Sequence, residues 1–247
     1  MVDPVRAVSF DIHGTLIHSP RLGEVYAQVL GRHGIEVTPD RALEVVRDVW
    51  QEFSCRRRAE RDLFSSHPGG SKGLWFEFID RVCEHLESEP PSPFAKSELF
   101  QKFAGSEPRD IYPEVIEVLE ALQQKDLKMV VISNWDDRLP ELLEELELAD
   151  YFETIVFSAG VGVEKPFPAI FQRALAALEL PAEQVVHIGD RVKEDVEGAR
   201  GVGMQSIHLD RENETGDLRD LRPLIELLPD RRASGQIGLS WWNGQPE

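Results

Sequence analysis

Five short hydrophobic runs, rich in β-branched residues, are spread along the chain. None alternates strictly between apolar and polar positions, which is typical of strands buried on both faces of a parallel sheet. The runs are Arg6–Phe10, Met129–Ser133, Thr154–Phe157, Val185–Ile188 and Gln205–Leu209. They predict the strands of a parallel β-sheet.

Helical periodicity fills most of the intervals between these runs, at Pro113–Gln124, Leu139–Leu148, Pro168–Leu178 and Val192–Val202. Strands that alternate with helices build a sheet covered by helices on both faces. The sequence therefore predicts an α/β fold with a Rossmann-like, doubly wound parallel sheet.

The interval from about Pro20 to Gly105 differs, because it contains amphipathic helical patterns and no strand candidate. It follows the carboxyl end of the first strand, where α/β proteins bind ligands, so we expect an all-helical cap over the site. Helices are predicted at Leu22–His33, Asp40–Phe53, Lys72–Leu86 and Ser97–Phe103, with loops at Ser65–Gly73 and Ser88–Pro93. The predicted domains are a core of residues 1–18 and 106–229, a cap of 19–105, and a poorly ordered tail of 230–247 that contains Trp241 and Trp242.

Composition narrows the range of partners. The 247 residues include 45 acidic and 27 basic ones, and the formal charge of -18 repels nucleic acid and anionic membranes. No run of about eighteen apolar residues occurs, and Cys55 and Cys83 stand outside any CxxC spacing. We expect a cytoplasmic protein with reduced thiols, in which local positive groups hold any anionic substrate. The oligomeric state is not defined by the sequence.

Polar residues suited to one chemistry follow four of the predicted strands. Asp11 follows the first, Ser133 and Asn134 end the second, Lys165 lies a short loop after the third, and Asp190 follows the fourth. Because the carboxyl ends of parallel strands meet at one edge of the sheet, we expect these side chains to converge. Two carboxylates make a site for Mg²⁺, while ammonium and hydroxyl groups suit the oxygens of a phosphoryl group in transfer.

These residues stand in motifs that resemble those of the haloacid dehalogenase superfamily, in the same order. The motifs are DxxGTL at Asp11–Leu16, SN at Ser133 and Asn134, GVEKPFPAIF at Gly162–Phe171, and GDRVKEDVEGAR at Gly189–Arg200. The helical interval resembles the first type of cap in that superfamily. More narrowly, the cap and EKPFPAIF resemble its domain-containing type 3 branch. The resemblance implies Mg²⁺-dependent hydrolysis of a small phosphorylated metabolite, a phosphomonoester, through an aspartyl phosphate.

The resemblance also implies a role for each motif residue. Asp11 would be the covalent nucleophile, and Lys165 would pair with Asp11 and with the phosphate. Thr15 and Ser133 would hold phosphate oxygens, with help from Asn134. The metal ligands would be Asp11, the backbone carbonyl of His13, Asp190 and Asp195, with Glu194 as a substitute for Asp195.

His13 stands where the superfamily's phosphatases carry a second aspartate, which protonates the leaving group and then activates water. In one interpretation the imidazole, with an ordinary pKa of about 6.5, takes over this proton transfer. In a second, no acid is needed, as in the family's 2-haloacid dehalogenases with DxYGT, although the carboxylate of Asp190 disfavours a haloacid when no metal is bound. In a third, catalysis is slow or lost and the protein binds a ligand or partner.

Other side chains have a functional and a structural interpretation. Arg57 and Arg61 share a predicted helix face and would either meet a substrate anion or, as we favour, pair with neighbouring acids. His187 lies inside a predicted strand and is expected to be a buried histidine with satisfied hydrogen bonds. The cap aromatics would line the substrate pocket or, as their spacing favours, form the cap core: Trp50, Phe53, Trp75 and Phe76.

Overall fold

A parallel sheet forms the centre of the core. The structure, a computed structural model, describes residues 4–56, 62–213, 215–228 and 230. Its strands are β1 (Ala7–Phe10), β2 (Ile17–His18), β3 (Asp110–Ile111), β4 (Lys128–Ser133), β5 (Thr154–Phe157), β6 (Val185–Gly189) and β7 (Gln205–His208).

β1 lies in the middle of the sheet, whose strand order is β5-β4-β1-β6-β7 with all neighbours parallel. Phe10 at the end of β1 pairs with Val131 on one side and Ile188 on the other, so the carboxyl ends of three strands meet at one edge. The predicted α/β fold is confirmed, and each of the five predicted strands ends within one residue of its observed bounds.

A two-residue antiparallel ribbon was not predicted. It joins β2 to β3, pairing Ile17 with Ile111 and His18 with Asp110. The ribbon lies where the chain leaves the core for the helical interval and where it returns. Strands this short carry no readable periodicity, which is why the sequence pattern does not reveal them.

In the described part of the predicted helical interval the chain forms five helices: α1 (Leu22–Arg32), α2 (Pro39–Arg56), α3 (Leu63–Ser66), α4 (Gly70–His85) and α5 (Pro93–Lys102). The loop predicted at Ser65–Gly73 is wrong at both ends, because Asp62 caps α3 by accepting a hydrogen bond from the Ser65 N–H at 2.7 Å. α5 begins at Pro93 rather than Ser97, since Ser92 caps it through the Ala95 N–H. The domain boundaries at residues 18 and 105 stay predictions.

The remaining helices cover the sheet: α6 (Val115–Gln124), α7 (Leu139–Glu145), α8 (Ser158–Val161), α9 (Pro168–Leu178), α10 (Gly198–Gly201) and α11 (Leu224–Leu227), with 3₁₀ turns at Ala149–Tyr151 and Ala182–Gln184. The single α-helix predicted at Val192–Val202 is wrong in type. The chain forms a π-helix at Val192–Glu197 and then α10. Widened turns of this kind are often found at functional sites.

Alternate strand residues point to opposite faces of the sheet, as a doubly wound fold requires. Met129 and Val131 of β4 pack in the cluster covered by α6 and α7, whereas Val130 and Ile132 pack in the cluster beneath α9. A third cluster lies within the helical interval and includes Phe53, Phe78 and Val82. The structural interpretation of Phe53 is therefore confirmed.

Several contacts connect the helical interval with the sheet domain. The Trp75 Nε1–H of α4 donates to Asp136 Oδ2 at 2.6 Å, and the backbone N–H of Asp62 donates to the Gly162 carbonyl at 3.2 Å. None of the helices in the described residues is long and apolar enough to cross a membrane. Arg57, Arg61 and the tail from residue 231 lie outside the described residues.

Candidate active site

Asp11 lies at the centre of the site, directly after β1. Its backbone N–H continues the sheet by donating to the Ile188 carbonyl at 2.9 Å, and only 7% of the residue is exposed. Its Oδ1 accepts hydrogen bonds from Ser133 Oγ at 3.0 Å and Lys165 Nζ at 2.7 Å. None of the described residues donates to Oδ2, so this oxygen is available for other chemistry.

Lys165 links two carboxylates. Its Nζ donates to Asp11 Oδ1 at 2.7 Å, to Asp195 Oδ1 at 2.6 Å and to the Ile132 carbonyl at 2.7 Å, which uses all three N–H groups. Burial alone lowers the pKa of this ammonium, but the two carboxylates outweigh burial and raise it. Lys165 is thus a fixed positive charge, and it reaches a bound phosphate only by exchanging one of these partners.

Asn134 holds the backbone that carries Lys165. Its Oδ1 accepts from the Lys165 backbone N–H at 2.6 Å, and its Nδ2 donates to the Lys165 carbonyl at 3.0 Å. This pair of bonds explains how a loop residue is placed beside a strand end. The predicted direct help of Asn134 to a substrate stays a prediction.

Asp195 is brought beneath the strand ends by the π-helix. Its Oδ2 accepts from the Arg191 backbone N–H at 3.0 Å, and its Oδ1 lies 3.2 Å from His187 Nε2. Gly189 is required here, because a Cβ at that position would lie 2.2 Å from Asp195 Cγ. Burial favours the neutral acid, but Lys165 and His187 together hold the pKa of Asp195 well below its usual range.

Two buried oxygens in the site have no hydrogen-bond partner within the part of the chain that the structure describes: Asp190 Oδ1 and Thr15 Oγ1. Gly14 lets Asp190 approach, since its φ is +85° and a Cβ there would lie 2.5 Å from Asp190 Oδ2. Burial and the charges of Asp11 and Asp195 raise the pKa of Asp190 to about 7. A buried polar atom without a partner is costly, so both atoms are placed for a ligand or cation rather than for the fold.

The carboxylates of Asp11, Asp190 and Asp195 could hold a metal ion. One oxygen from each lies within 4.8 Å of the others. Three carboxylates against the single ammonium of Lys165 leave an excess negative charge, and an all-oxygen donor set suits a hard divalent cation. The orphaned Asp190 Oδ1 fits such an ion.

His13 lies in the loop between β1 and β2, and its side chain reaches solvent. Protein atoms nevertheless crowd the ring, and the partial loss of hydration lowers the pKa of the imidazole. Asp11 opposes this decrease, whereas the positive charges of Arg109 and Arg191 add to it. At neutral pH the ring is mainly uncharged, as a proton acceptor must be.

Arg211 was not identified from the sequence. Its guanidinium donates to the Thr15 carbonyl at 2.7 Å and the Gly14 carbonyl at 3.2 Å, and it pairs with Glu114 at 2.7 Å. It also lies 3.5 Å from the centroid of the Tyr112 ring. Arg211 therefore fixes the loop that carries His13 and Thr15, although it is far from them in sequence.

Trp75 has a role that neither interpretation of the cap aromatics anticipated. Its ring stacks on Trp50 at 5.7 Å within the helical interval, while its indole N–H reaches Asp136, three residues after Ser133. Asp136 is 1% exposed and also pairs with Arg138 at 2.5 Å. The contact ties the helical interval to the loop after β4.

Two curated relatives cover most of the chain. Haloacid dehalogenase-like hydrolase domain-containing protein 3 of Homo sapiens is 31% identical over 211 residues, which span 82% of this chain and 80% of the human protein. The glyceraldehyde 3-phosphate phosphatase of Methanopyrus kandleri is 29% identical over 226 residues, which span 89% of this chain and 88% of that enzyme.

The fold and the family are shown by two further comparisons. The crystal structure of a HAD phosphatase from Thermococcus onnurineus superposes with a TM-score of 0.63 at 23% identity, covering 92% of this chain and 100% of that one. The family model described as haloacid dehalogenase-like hydrolase matches residues 5–203. The chain therefore belongs to the haloacid dehalogenase-like hydrolase family.

Proposed function

We propose that the protein is a Mg²⁺-dependent phosphatase that hydrolyses a small phosphomonoester through an aspartyl phosphate on Asp11. The observation that carries the proposal is the pattern of oxygens without partners. Among the described residues, Asp190 Oδ1 and Thr15 Oγ1 are buried without a partner, and Asp11 Oδ2 accepts no hydrogen bond while Oδ1 of the same carboxylate accepts two. The phosphatase relatives, among them a glyceraldehyde 3-phosphate phosphatase, support the same class of substrate.

In this proposal Asp11 Oδ2 attacks phosphorus in line with the leaving oxygen. Oδ1 stays bound to Ser133 and Lys165, so the carboxylate is held in one orientation as it approaches the phosphate. Such fixed geometry avoids reorganisation during the reaction. Thr15 Oγ1 is the free hydroxyl that donates to a phosphoryl oxygen.

Asp11, Asp190, Asp195 and the backbone carbonyl of His13 would hold Mg²⁺. When bound, the cation supplies positive charge that lets an anionic nucleophile meet an anionic phosphate. Because the carboxylates exceed the ammonium in number, this charge is needed before the site accepts an anion. The donor set fits, since Asp190 Oδ1 has no partner in the described residues.

We assign proton transfer to His13. The ring lies two residues from the nucleophile, reaches solvent, and is close enough to Asp11 for their charges to interact. From that place the protonated form of the ring gives its proton to the leaving alkoxide, and the neutral ring that remains then takes a proton from the attacking water. The helical interval, tied to the site by Trp75 and Asp136, acts as a cap that contacts the leaving group.

Steady-state hydrolysis tests the proposal. The substrates are p-nitrophenyl phosphate, glyceraldehyde 3-phosphate and a panel of sugar and nucleotide phosphates, each with Mg²⁺ and with EDTA. We expect release of phosphate that requires Mg²⁺ and is lost in Asp11→Asn. Asp137→Asn is the matched control, because it removes an exposed aspartate near the site without touching it. Full activity of Asp11→Asn, or of the wild type in EDTA, would refute the proposal.

A further inference from the structure

His187 is a fully buried histidine with a polar partner at each ring nitrogen. Its Nε2 lies 3.2 Å from Asp195 Oδ1, and its Nδ1 lies 2.9 Å from Ser9 Oγ on the adjacent strand β1. The ring edge packs on Phe171, with centroids 5.5 Å apart. Any buried histidine needs partners for its ring nitrogens, but here one partner is a carboxylate of the acidic cluster.

Hydrogen-bond chemistry determines which nitrogen carries the proton. The Asp195 carboxylate has no hydrogen to give, so Nε2–H must be the donor in that bond. Nδ1 is then the acceptor and takes the hydrogen of the Ser9 hydroxyl, whose other acceptor, the Val186 carbonyl, is farther away at 3.4 Å. Ser9 therefore selects the tautomer that donates to Asp195.

The same Asp195 oxygen receives the hydrogen bond of Lys165. Oδ1 accepts from Lys165 Nζ at 2.6 Å, and the ammonium also donates to Asp11 Oδ1 at 2.7 Å. A carboxylate that loses one of its donors rotates more freely about its Cβ–Cγ bond. Any rotation of Asp195 moves the ammonium that aligns Asp11, and it moves the carboxylate within the acidic cluster.

We propose that His187 is a positioning residue, which with Ser9 orients Asp195 and through it sets the geometry of Lys165, Asp11 and the metal site. The test by kcat rests on the proposed function, whereas the test by Mg²⁺ affinity does not depend on phosphatase activity. Groups that orient the ligands of a metal commonly contribute about 10–100-fold to metal affinity or activity. No contact with substrate is required of His187, because it acts only through Asp195.

Two amide variants of different length separate positioning from packing. In His187→Gln the amide nitrogen takes the place of Nε2 and keeps a donor for Asp195. In His187→Asn the shorter amide stays near Ser9 and cannot reach Asp195. Phe171→Leu is the control, because it loosens the packing against the ring and leaves every polar contact in place. Ser9→Ala is an additional variant that keeps the imidazole and removes the hydroxyl that donates to Nδ1.

The measurements are the Mg²⁺ dissociation constant by titration calorimetry, kcat and KM with p-nitrophenyl phosphate, and urea stability. We expect His187→Asn to weaken Mg²⁺ binding and lower kcat by about 10–100-fold with little change in KM, and His187→Gln to recover most of both. Ser9→Ala should fall between them, while Phe171→Leu loses stability alone.

Equal effects of the Gln and Asn variants, or wild-type Mg²⁺ binding in His187→Asn, would overturn the proposal. If His187→Asn does not fold, unchanged Mg²⁺ affinity and kcat in Ser9→Ala would overturn it instead. A wild type that hydrolyses no phosphate but binds Mg²⁺ would refute the proposed function, and the calorimetric comparison would still decide the role of His187.

Discussion

Replacing Asp190 with asparagine should stabilise the metal-free protein and at the same time abolish metal binding. Asp190 is largely buried beside Asp11 and Asp195, and these surroundings raise its pKa from 3.8 to about 7. The folded state therefore keeps a proton that the unfolded state has already released. Its contribution to stability is fully present below the unfolded pKa and is lost as the pH rises through the folded pKa.

The expected magnitude follows from the difference between the folded and unfolded pKa. Raising the pKa of a group by one corresponds to about 1.4 kcal/mol, so the interval from about pH 5 to about pH 7 amounts to about 2–3 kcal/mol of lost stability. Asp190→Asn has no such proton and should not show this loss. At about pH 8 in EDTA we expect the variant to exceed the wild type by about 1–2 kcal/mol, because the new amide also loses some hydration.

Urea unfolding in EDTA at pH 5, 6, 7 and 8 measures the effect. Glu197→Gln is the control, because it removes one negative charge from an exposed position on the π-helix that follows Asp190. A stability gain shared by Glu197→Gln would reflect the overall charge of -18 rather than the site. The reasoning fails if Asp190→Asn is less stable than the wild type at pH 8, or if its stability falls with pH as steeply as that of the wild type.

Two further predictions concern the loop after β1. Arg211→Met keeps the side-chain stem, removes the donors to Gly14 and Thr15, and leaves Glu114 buried without its ion-pair partner. We therefore expect the free energy of unfolding, measured in urea, to fall by about 3 kcal/mol, and kcat to fall at least tenfold. Wild-type kcat in a folded Arg211→Met would show that the loop holds its shape without the guanidinium. His13→Ala should lower kcat for alkyl phosphates by about 10²–10⁴-fold but lower it much less for p-nitrophenyl phosphate, whose leaving group needs no acid. Equal losses on both substrates would assign His13 to binding rather than to proton transfer.

The sequence best predicted the positions of those site residues that stand at the end of a strand. Asp11, Ser133 and Asp190 follow buried apolar runs directly, and the parallel topology brings these three to one edge. Lys165 was placed by its motif, and its convergence with Asp11 at 2.7 Å follows from the Asn134 bonds that hold its backbone. Topology and local pattern suffice for residues of this kind.

Residues that act through long-range contacts could not be predicted in the same way. Arg211 lies in an irregular loop after β7, and nothing in its neighbourhood indicates that its guanidinium meets Gly14 and Thr15. His187 was expected to be buried and satisfied, and that is confirmed. Its partner, however, depends on the π-helix that places Asp195, and a widened turn has no distinct sequence period.

The net charge of the site distinguishes a 2-haloacid from a phosphomonoester as the substrate. Asp11, Asp190 and Asp195 oppose the single ammonium of Lys165, and burial together with the charges of Asp11 and Asp195 raises the pKa of Asp190 to about 7. A 2-haloacid brings its own carboxylate into this field and is repelled unless a cation is present. Under the proposed function, a phosphomonoester would meet a site whose excess negative charge a bound Mg²⁺ neutralises. His13 does not alter this balance while it is uncharged, so under the proposed function the residue at position 13 would govern the rate of proton transfer, whereas the three carboxylates would decide the class of substrate.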